Sequence, residues 1–219
     1  WDRLAKHATP LQCMRLIDRG HGEGKAKDFD AGEISDDPFA WNLPNSVIRR
    51  ELQALMGTLP NLDFRSECKL TRMLPRTRAS IIGLSDGSSI ETNLIIAADG
   101  RNSKVREFAE IDTKTTKFDQ MAVVFVVQHQ TPHLNISIEI HRSGGPFTLV
   151  PLPIVDGVHR SAVVWMDATH KARAYYEMPS SAFNDAINER AGGVLGQLEL
   201  VGDRAIWPII AQLAERIIA

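Results

Sequence analysis

Asn93-Leu94-Ile95-Ile96-Ala97-Ala98-Asp99-Gly100-Arg101-Asn102-Ser103-Lys104-Val105-Arg106 is the stretch on which the fold turns. Its first six residues form a continuous apolar run bounded by turn residues, the pattern of a strand buried in a parallel sheet. Asp99-Gly100 then marks a tight turn, and Ser103 stands where a helix N-cap belongs. Gly100 lets a backbone or ligand approach closely. A helix beginning near Asn102-Ser103 would offer free N–H groups to a phosphate. Asp99 can accept from hydroxyls or orient backbone donors, and Arg106 can brace the turn or meet a phosphate. A plain strand-turn-helix unit with a capping serine and solvated basic residues reads from the same letters.

Outward from this turn the chain has two textures. Residues 42–117 read as a βα piece. The helix Asn45–Met56 carries Ile48, Leu52, Leu55 and Met56 on one apolar face, with Asn45 or Ser46 as N-cap and Gly57 as C-cap. Asn45 and Arg49 lie one turn apart on a different, polar face, so both can point to one ligand. Short strands are expected at Leu62–Phe64 and Cys68–Met73. A hairpin is expected from Ala79–Leu84 and Ser89–Thr92 around Asp86-Gly87. From about residue 118 the pattern becomes β-rich: Met121–Gln128, Leu134–Ile140, Phe147–Val150 and Arg160–Trp165, then short extended pieces at Leu198–Val201 and Ala205–Ile209. Ser180–Arg190 reads as a helix capped by Ser180 or Ser181, with Phe183, Ile187 and Ala191 on one face. Near the start, residues 1–9 read as a helix end closed by Thr9-Pro10. Leu11–Asp18 and Phe29–Trp41 read as extended, with a turn over His21–Lys27.

The composition narrows the function classes. Of 219 residues, 43% are hydrophobic and 24% charged, enough for a packed core. A net charge of −2 argues against a nucleic-acid binder. The apolar runs Leu94–Ala98 and Met121–Val127 are far short of the ~20 residues that span a membrane. Two cysteines, Cys13 and Cys68, give no disulfide framework. With no apolar leader at Trp1-Asp2-Arg3, a cytoplasmic location is expected. Both ends read as interrupted elements, which sets the expectation of an internal piece of a longer polypeptide.

The Asp99–Arg106 string, Asp-Gly-x-x-Ser-x-Val-Arg, resembles the Asp-Gly motif of the FAD-dependent aromatic hydroxylases of the p-hydroxybenzoate hydroxylase type. Other segments resemble the ubiquinone-biosynthesis branch of that family. They are Trp1–Leu4 with Pro10-Leu11 and Met14–Asp18, the helix opening Asn45–Leu52, Gly145–Pro153, and Ser161–Trp165. The resemblance implies an α/β (α+β) fold, in which a partial FAD-binding βα domain is interleaved with a mostly antiparallel β-sheet substrate domain. It assigns 1–10 and 42–117 to the first and 11–41 and 118–209 to the second, with 210–219 starting a return to the FAD domain. It implies that Asp99, Gly100, Asn45, Arg49, Ser103 and Arg106 contact FAD. It further implies NAD(P)H as reductant, O₂ as co-substrate and hydroxylation of an aromatic ring, a ubiquinone precursor. A polyprenyl tail on that substrate would call for contact with a membrane surface. The family's opening Gly-x-Gly-x-x-Gly turn is not matched, since Gly20, Gly22 and Gly24 are spaced differently, and its later Gly-Asp motif is missing. A cofactor-free remnant of the fold, or another flavoprotein such as a halogenase or a geranylgeranyl reductase, is therefore the alternative.

The remaining candidates are weaker. Val126, Phe147, Leu149, Pro151 and Trp165 read as core strand residues, or as the wall of an aromatic-substrate pocket. Seven histidines invite a metal, yet Pro132 breaks the spacing of His129 and His133, and His141 brings no carboxylate or cysteine cluster. Structural or surface histidines and no metal are expected. Ser103 suits a cap better than a nucleophile, so no catalytic protein residue is expected; flavin chemistry requires none.

Overall fold

The structure, a computed structural model, describes residues 1–20 and 24–219. In chain order the elements are α1 (Asp2–Ala5), β1 (Thr9–Leu11), β2 (Cys13–Asp18), β3 (Lys25–Asp30), a single 3₁₀ turn at Ala31–Glu33, β4 (Ala40–Asn42) and α2 (Asn45–Met56). Then come β5 (Leu70–Pro75), β6 (Ser80–Leu84), β7 (Ser89–Thr92), α3 (Lys104–Phe108), β8 (Thr113–His129), β9 (Ile136–Arg142) and β10 (Gly145–Val155). The last are β11 (Val158–Ala168), α4 (Thr169–Glu177), α5 (Ser180–Ala191) and β12 (Glu199–Ala214). The chain divides into two compact units, Trp1–Leu55 with Phe118–Ile209, and Met56–Lys117 with Ile210–Ala219.

The first unit is built on a seven-stranded sheet of order β12-β8-β11-β10-β9-β2-β3. The β2–β9 pair is parallel, whereas β8–β11, β11–β10, β10–β9 and β2–β3 are antiparallel. Side chains alternate across each strand, and the register places the alternation in phase. Val123 faces Trp165, Phe125 faces Val163, and Phe147 pairs with Trp165 and Ile140 on one side of the sheet. That inner side is covered by α5, whose Phe183, Ile187 and Ala191 are fully buried, as their i, i+4, i+8 spacing requires. Phe183 packs edge-on against Phe125 at 4.9 Å between ring centroids, and Arg204 lies over its other side at 4.5 Å. Arg204 also donates to the carbonyls of Tyr175 and Met178, which ties β12 to the α4–α5 junction. Asn188 clamps the turn after α5, donating to the Leu198 carbonyl and accepting from its N–H. The other side of the sheet is half-buried and aliphatic, with Val124, Val126, Val150, Ala162 and Val164.

The second unit holds the three-stranded antiparallel sheet β5-β6-β7 and α3. The Asp86-Gly87 hairpin forms as expected: Gly87 takes φ +86° and Asp86 accepts from the Ser88 N–H at 2.9 Å.

Several expectations are corrected. Residues 93–98 do not form a buried strand: Leu94 is 71% and Ile96 81% exposed, and none of the described strands pairs with them. A parallel strand is stable when its neighbours supply ladder bonds and cover both faces, and here β7 ends at Thr92, whose hydroxyl donates to the Leu94 carbonyl. Leu62–Phe64 is not a strand, and the opening helix stops at Ala5, with Thr9-Pro10 already in β1. Of the expected turn over 21–27, residues 25–27 belong to β3, while 21–23 lie outside the described residues. Helix α2 is bounded as expected but starts from Pro44, whose carbonyl accepts from Val47 and Ile48. Its apolar face is left partly uncovered, and it buries no residue. Pro179 likewise occupies the cap position of α5 in place of the two serines. The pieces at 198–201 and 205–209 are one strand, β12. It lies at the sheet edge, where Pro208 can be accommodated without an N–H. Helix α4 was not expected. It buries Ala172 alone and so leaves no apolar stripe in the sequence.

Truncating Phe183 to alanine should cost about 3–5 kcal/mol of unfolding free energy. Truncating the exposed Tyr176 on α4 should change it by less than about 0.5 kcal/mol. Urea unfolding of the two variants beside the parent chain measures both.

Candidate functional site

The Asp99-Gly100 turn and α3 lie within the second unit. Asp99 Oδ2 accepts from the N–H groups of Lys104 at 2.7 Å and Val105 at 3.2 Å. Ser103, at the N-cap and buried, accepts from the Arg106 N–H at 3.0 Å through its hydroxyl, and its carbonyl accepts from the Glu107 N–H. The amides at the start of α3 are therefore already paired. This corrects the expectation that they stand free for a phosphate. The Asp99 carboxyl is held below the usual carboxylate range, first by the Ser103 hydroxyl, with the backbone amides adding to it and desolvation opposing. Arg106 turns back to donate to the Arg101 carbonyl at 3.0 Å, so it braces the turn. Gly100 has φ +81°, a left-handed conformation that favours glycine, and an added Cβ there would meet no atom within 4 Å.

Beside this turn, wholly within the second unit, is a cleft of about 1150 Å³. Its walls are the exposed run Leu94–Ala98, then Val105 and Phe108 of α3, and Ile217 and Ile218 of the last segment. Arg216 borders it and donates to the Ala109 carbonyl at 3.2 Å. Sequence reasoning missed Arg216 and the terminal isoleucines, because nothing local marks them; a hydrogen bond from the Glu215 N–H to the Asp112 carbonyl places them.

Asp99, Gly100, Ser103 and Arg106 thus come together on one turn. Asn45 and Arg49 share an exposed face of α2 in the first unit. Of the residues expected to wall a substrate pocket, Phe147, Leu149, Pro151 and Trp165 lie on the inner side of the large sheet, buried in the core. Val126 faces the opposite, half-buried side. Among the described residues no cluster of three or more His, Cys, Asp or Glu side chains is placed to hold a metal ion. Among them also, no helix is long and apolar enough to cross a membrane.

No family model matches the chain. Individual proteins do. Ubiquinone hydroxylase UbiL of Rhodospirillum rubrum is 27% identical over 222 residues, which cover 99% of this chain and 49% of that protein. Other relatives bear the name ubiquinone biosynthesis monooxygenase COQ6, and one is the uncharacterized protein slr1300 of Synechocystis, 34% identical over 55% of this chain. Ubiquinone biosynthesis monooxygenase COQ6, mitochondrial, of Danio rerio is 34% identical over 199 residues, 86% of this chain and 40% of the relative. The chain spans about half the length, or less, of the curated relatives it matches. Among solved structures, the flavin-dependent monooxygenase PieE in complex with FAD and substrate superposes with a TM-score of 0.75 at 14% identity, covering 100% of this chain and 41% of that one. The mixed α/β fold expected from the sequence is thereby that of FAD-dependent monooxygenases.

Removing the Ser103 hydroxyl (Ser103→Ala) should cost about 1 kcal/mol, the usual worth of an N-cap. Asp99→Ala should also destabilise the chain, and in a pH-dependent way. A carboxyl whose pKa is lowered by folding contributes fully above its ordinary value of 3.8, and that contribution is lost as pH falls through the lowered value. Urea midpoints of the parent and Asp99→Ala chains should therefore differ at neutral pH and converge in strong acid.

Proposed function

We propose that the polypeptide containing this chain is an FAD-dependent monooxygenase that hydroxylates an aromatic ring, a ubiquinone precursor, with NAD(P)H and O₂. The observation that carries this reading is the cleft beside the Asp99-Gly100 turn, in a chain related along nearly its whole length to a ubiquinone hydroxylase. The cleft fits the ring part of FAD: Leu94–Ala98, Phe108, Ile217 and Ile218 give it an apolar wall beside polar groups such as Asp99, Arg106 and Arg216, and Gly100 leaves its rim open to a flat group. The α3 amides do not fit the pyrophosphate, because Asp99 and Ser103 already use them. Bound FAD would supply electron transfer from NAD(P)H and the activation of O₂.

The chain's own residues have supporting roles in this reading. Asp99 and Ser103 fix the start of α3, and Arg106 fixes the turn that carries Gly100. Leu94–Ala98, Ile217 and Ile218 exclude water from the cofactor ring. Within the first unit, Asn45 and Arg49 form a polar pair on an exposed face of α2 and are the candidates there for a cofactor contact. Residues 1–10 and 42–117 serve the cofactor, 11–41 and 118–209 the substrate, and 210–219 return to the cofactor side. The substrate ring lies against the half-buried side of the large sheet, where Val126, Val124 and Val164 are available. The inner side, with Phe147 and Trp165, is filled by α5. No protein nucleophile takes part. A polyprenylated substrate, a cytoplasmic location and transient contact with a membrane surface complete the proposal.

The test is flavin content in the longer polypeptide. Ala98→Trp would fill the cleft from an exposed position. It should lower bound FAD, read from the visible absorption spectrum, by about tenfold or more at unchanged thermal stability. Bound FAD equal to that of the parent would remove the cofactor from this cleft.

A further inference from the structure

Three histidines meet in the first unit at the end of β8. His129 closes β8, His133 lies in the 130–135 connection to β9, and His159 is on β11. Their ring centroids are 5.5–6.2 Å apart. His129 and His133 are 2% and 6% exposed. Hydrogen-bond roles fix where their protons lie. His133 Nε2 faces the Leu152 carbonyl at 3.1 Å, which can only accept, so Nε2 carries the proton. His133 Nδ1 faces the Asn135 N–H at 3.1 Å, which can only donate, so Nδ1 is a lone pair. A second proton on His133 must go to Nδ1, where it meets another N–H and the bond is lost. His129 differs. Its Nδ1 donates to the Thr131 carbonyl, and its Nε2 faces the Ser161 hydroxyl, which can rotate from donor to acceptor when the ring is charged.

The bond that His133 would lose holds a strained segment. Leu134 and Asn135 have φ +52° and +60°, left-handed values for non-glycine residues. The Asn135 carbonyl accepts from the N–H groups of Gln12 and Cys13, just where β2 joins β9 through the Cys13–Ile136 pairing. Cys13 is a free thiol, buried at 6% exposure.

We propose that His133 is an acid-operated latch. Protonation at Nδ1 frees the 130–135 connection and with it the first residues of β2, opening Cys13 to solvent while the core under α5 stays folded. The charge that bears on His133 comes from His159 on β11, with the ring of His129 on β8 beside it. Towards it β10 presents the Leu152 carbonyl and β2 the backbone of Gln12 and Cys13. Burial pushes the His133 and His129 pKa values below the ordinary 6.5 and neighbouring imidazoles push the same way, while the Leu152 and Thr131 carbonyls oppose through their hydrogen bonds and are outweighed. The neutral ring is thus the folded form. Its stabilisation is complete above pH 6.5 and is lost as pH falls below that value.

The experiment labels Cys13 with an activated pyridyl disulfide, which reacts in acid, in the Cys68→Ser chain, with rates divided by those of the unfolded chain at each pH. Between the ordinary value of 6.5 and the lower folded-state pKa the relative rate should rise about tenfold per pH unit, the slope of a one-proton opening, and then level off. His133→Asn keeps an acceptor near the Nδ1 position that takes no proton, and its rate should be flat across the same range. A flat rate in the parent, or an equal rise in the variant, overturns the latch. Amide exchange of the parent chain by NMR decides the matter even if His133→Asn does not fold. Gln12, Cys13 and Asn135 should lose protection together in acid while Phe125 and Val163 keep theirs; simultaneous loss at all five would mean global unfolding and no latch.

Discussion

The ring of Phe183 lies on Phe125 and reaches Trp165, and this contact between α5 and the sheet sets the phase of the whole first unit. Strand side chains repeat every two residues, so a slip of one residue in β8 or β11 would turn Phe125 and Trp165 away from α5 and bring Val124 and Val164 beneath it. The aromatic cluster is too large to be exchanged for valines without leaving cavities, so the register is strongly specified. Once the inner side is filled, the outer side remains half-buried, and the division between the two faces is a consequence of packing.

The second unit follows a different logic. Its one short helix, α3, has five residues, too few to be stable by propensity. It is held by its caps, Asp99 and Ser103 at the start and the Lys104–Glu107 pair along its exposed side. Spending the Asp99 carboxylate on two backbone amides makes the aspartate a positioning residue for Gly100. A motif that looks like a ligand-binding set is in large part a device for shaping its own loop. What it shapes is a cleft with one apolar wall and an open glycine rim, in which the amides that would meet a phosphate are already paired.

The legible parts of the sequence were those in which local pattern and tertiary environment agree. Helix α5 was readable because its i, i+4, i+8 stripe is the stripe that Phe125 and Trp165 meet. The 84–89 hairpin was readable because Asp-Gly demands a particular backbone conformation. Leu94–Ala98 was not, since an apolar run records what a segment could bury and not whether neighbouring strands are at hand. Helix α4 was hidden because Ala172 alone anchors it. At the site, the Asp99 turn was visible as a motif, but its economy of hydrogen bonds was not: which amides a carboxylate takes depends on loop geometry that no spacing rule contains. Phe147 and Trp165 were rightly seen as core candidates, yet the side of the sheet that α5 would cover could not be read from alternation alone, which is symmetric between the two faces.

That symmetry bears on selectivity. Under the proposed function, the face left to the substrate is built from Val124, Val126, Val150, Ala162 and Val164, with Thr148 near the middle and Gln128, Glu139 and Arg160 around them. A wall of branched aliphatic side chains discriminates by shape, and a single methylene there is worth about 1–3 kcal/mol. A site built to hydrogen-bond a hydroxyl rejects the analogue lacking it far more strongly, because its own polar groups would be left unpaired. At the aliphatic centre of this face, the position at which a ring is attacked would be set by how the ring is wedged against the valines. A polyprenyl or alkyl substituent is the kind of handle such a wall can grip. Selectivity for ring hydroxyls would have to come from the polar side chains around this patch, so the substrate's tail would fix where it lies and the cofactor's placement would fix which carbon reacts.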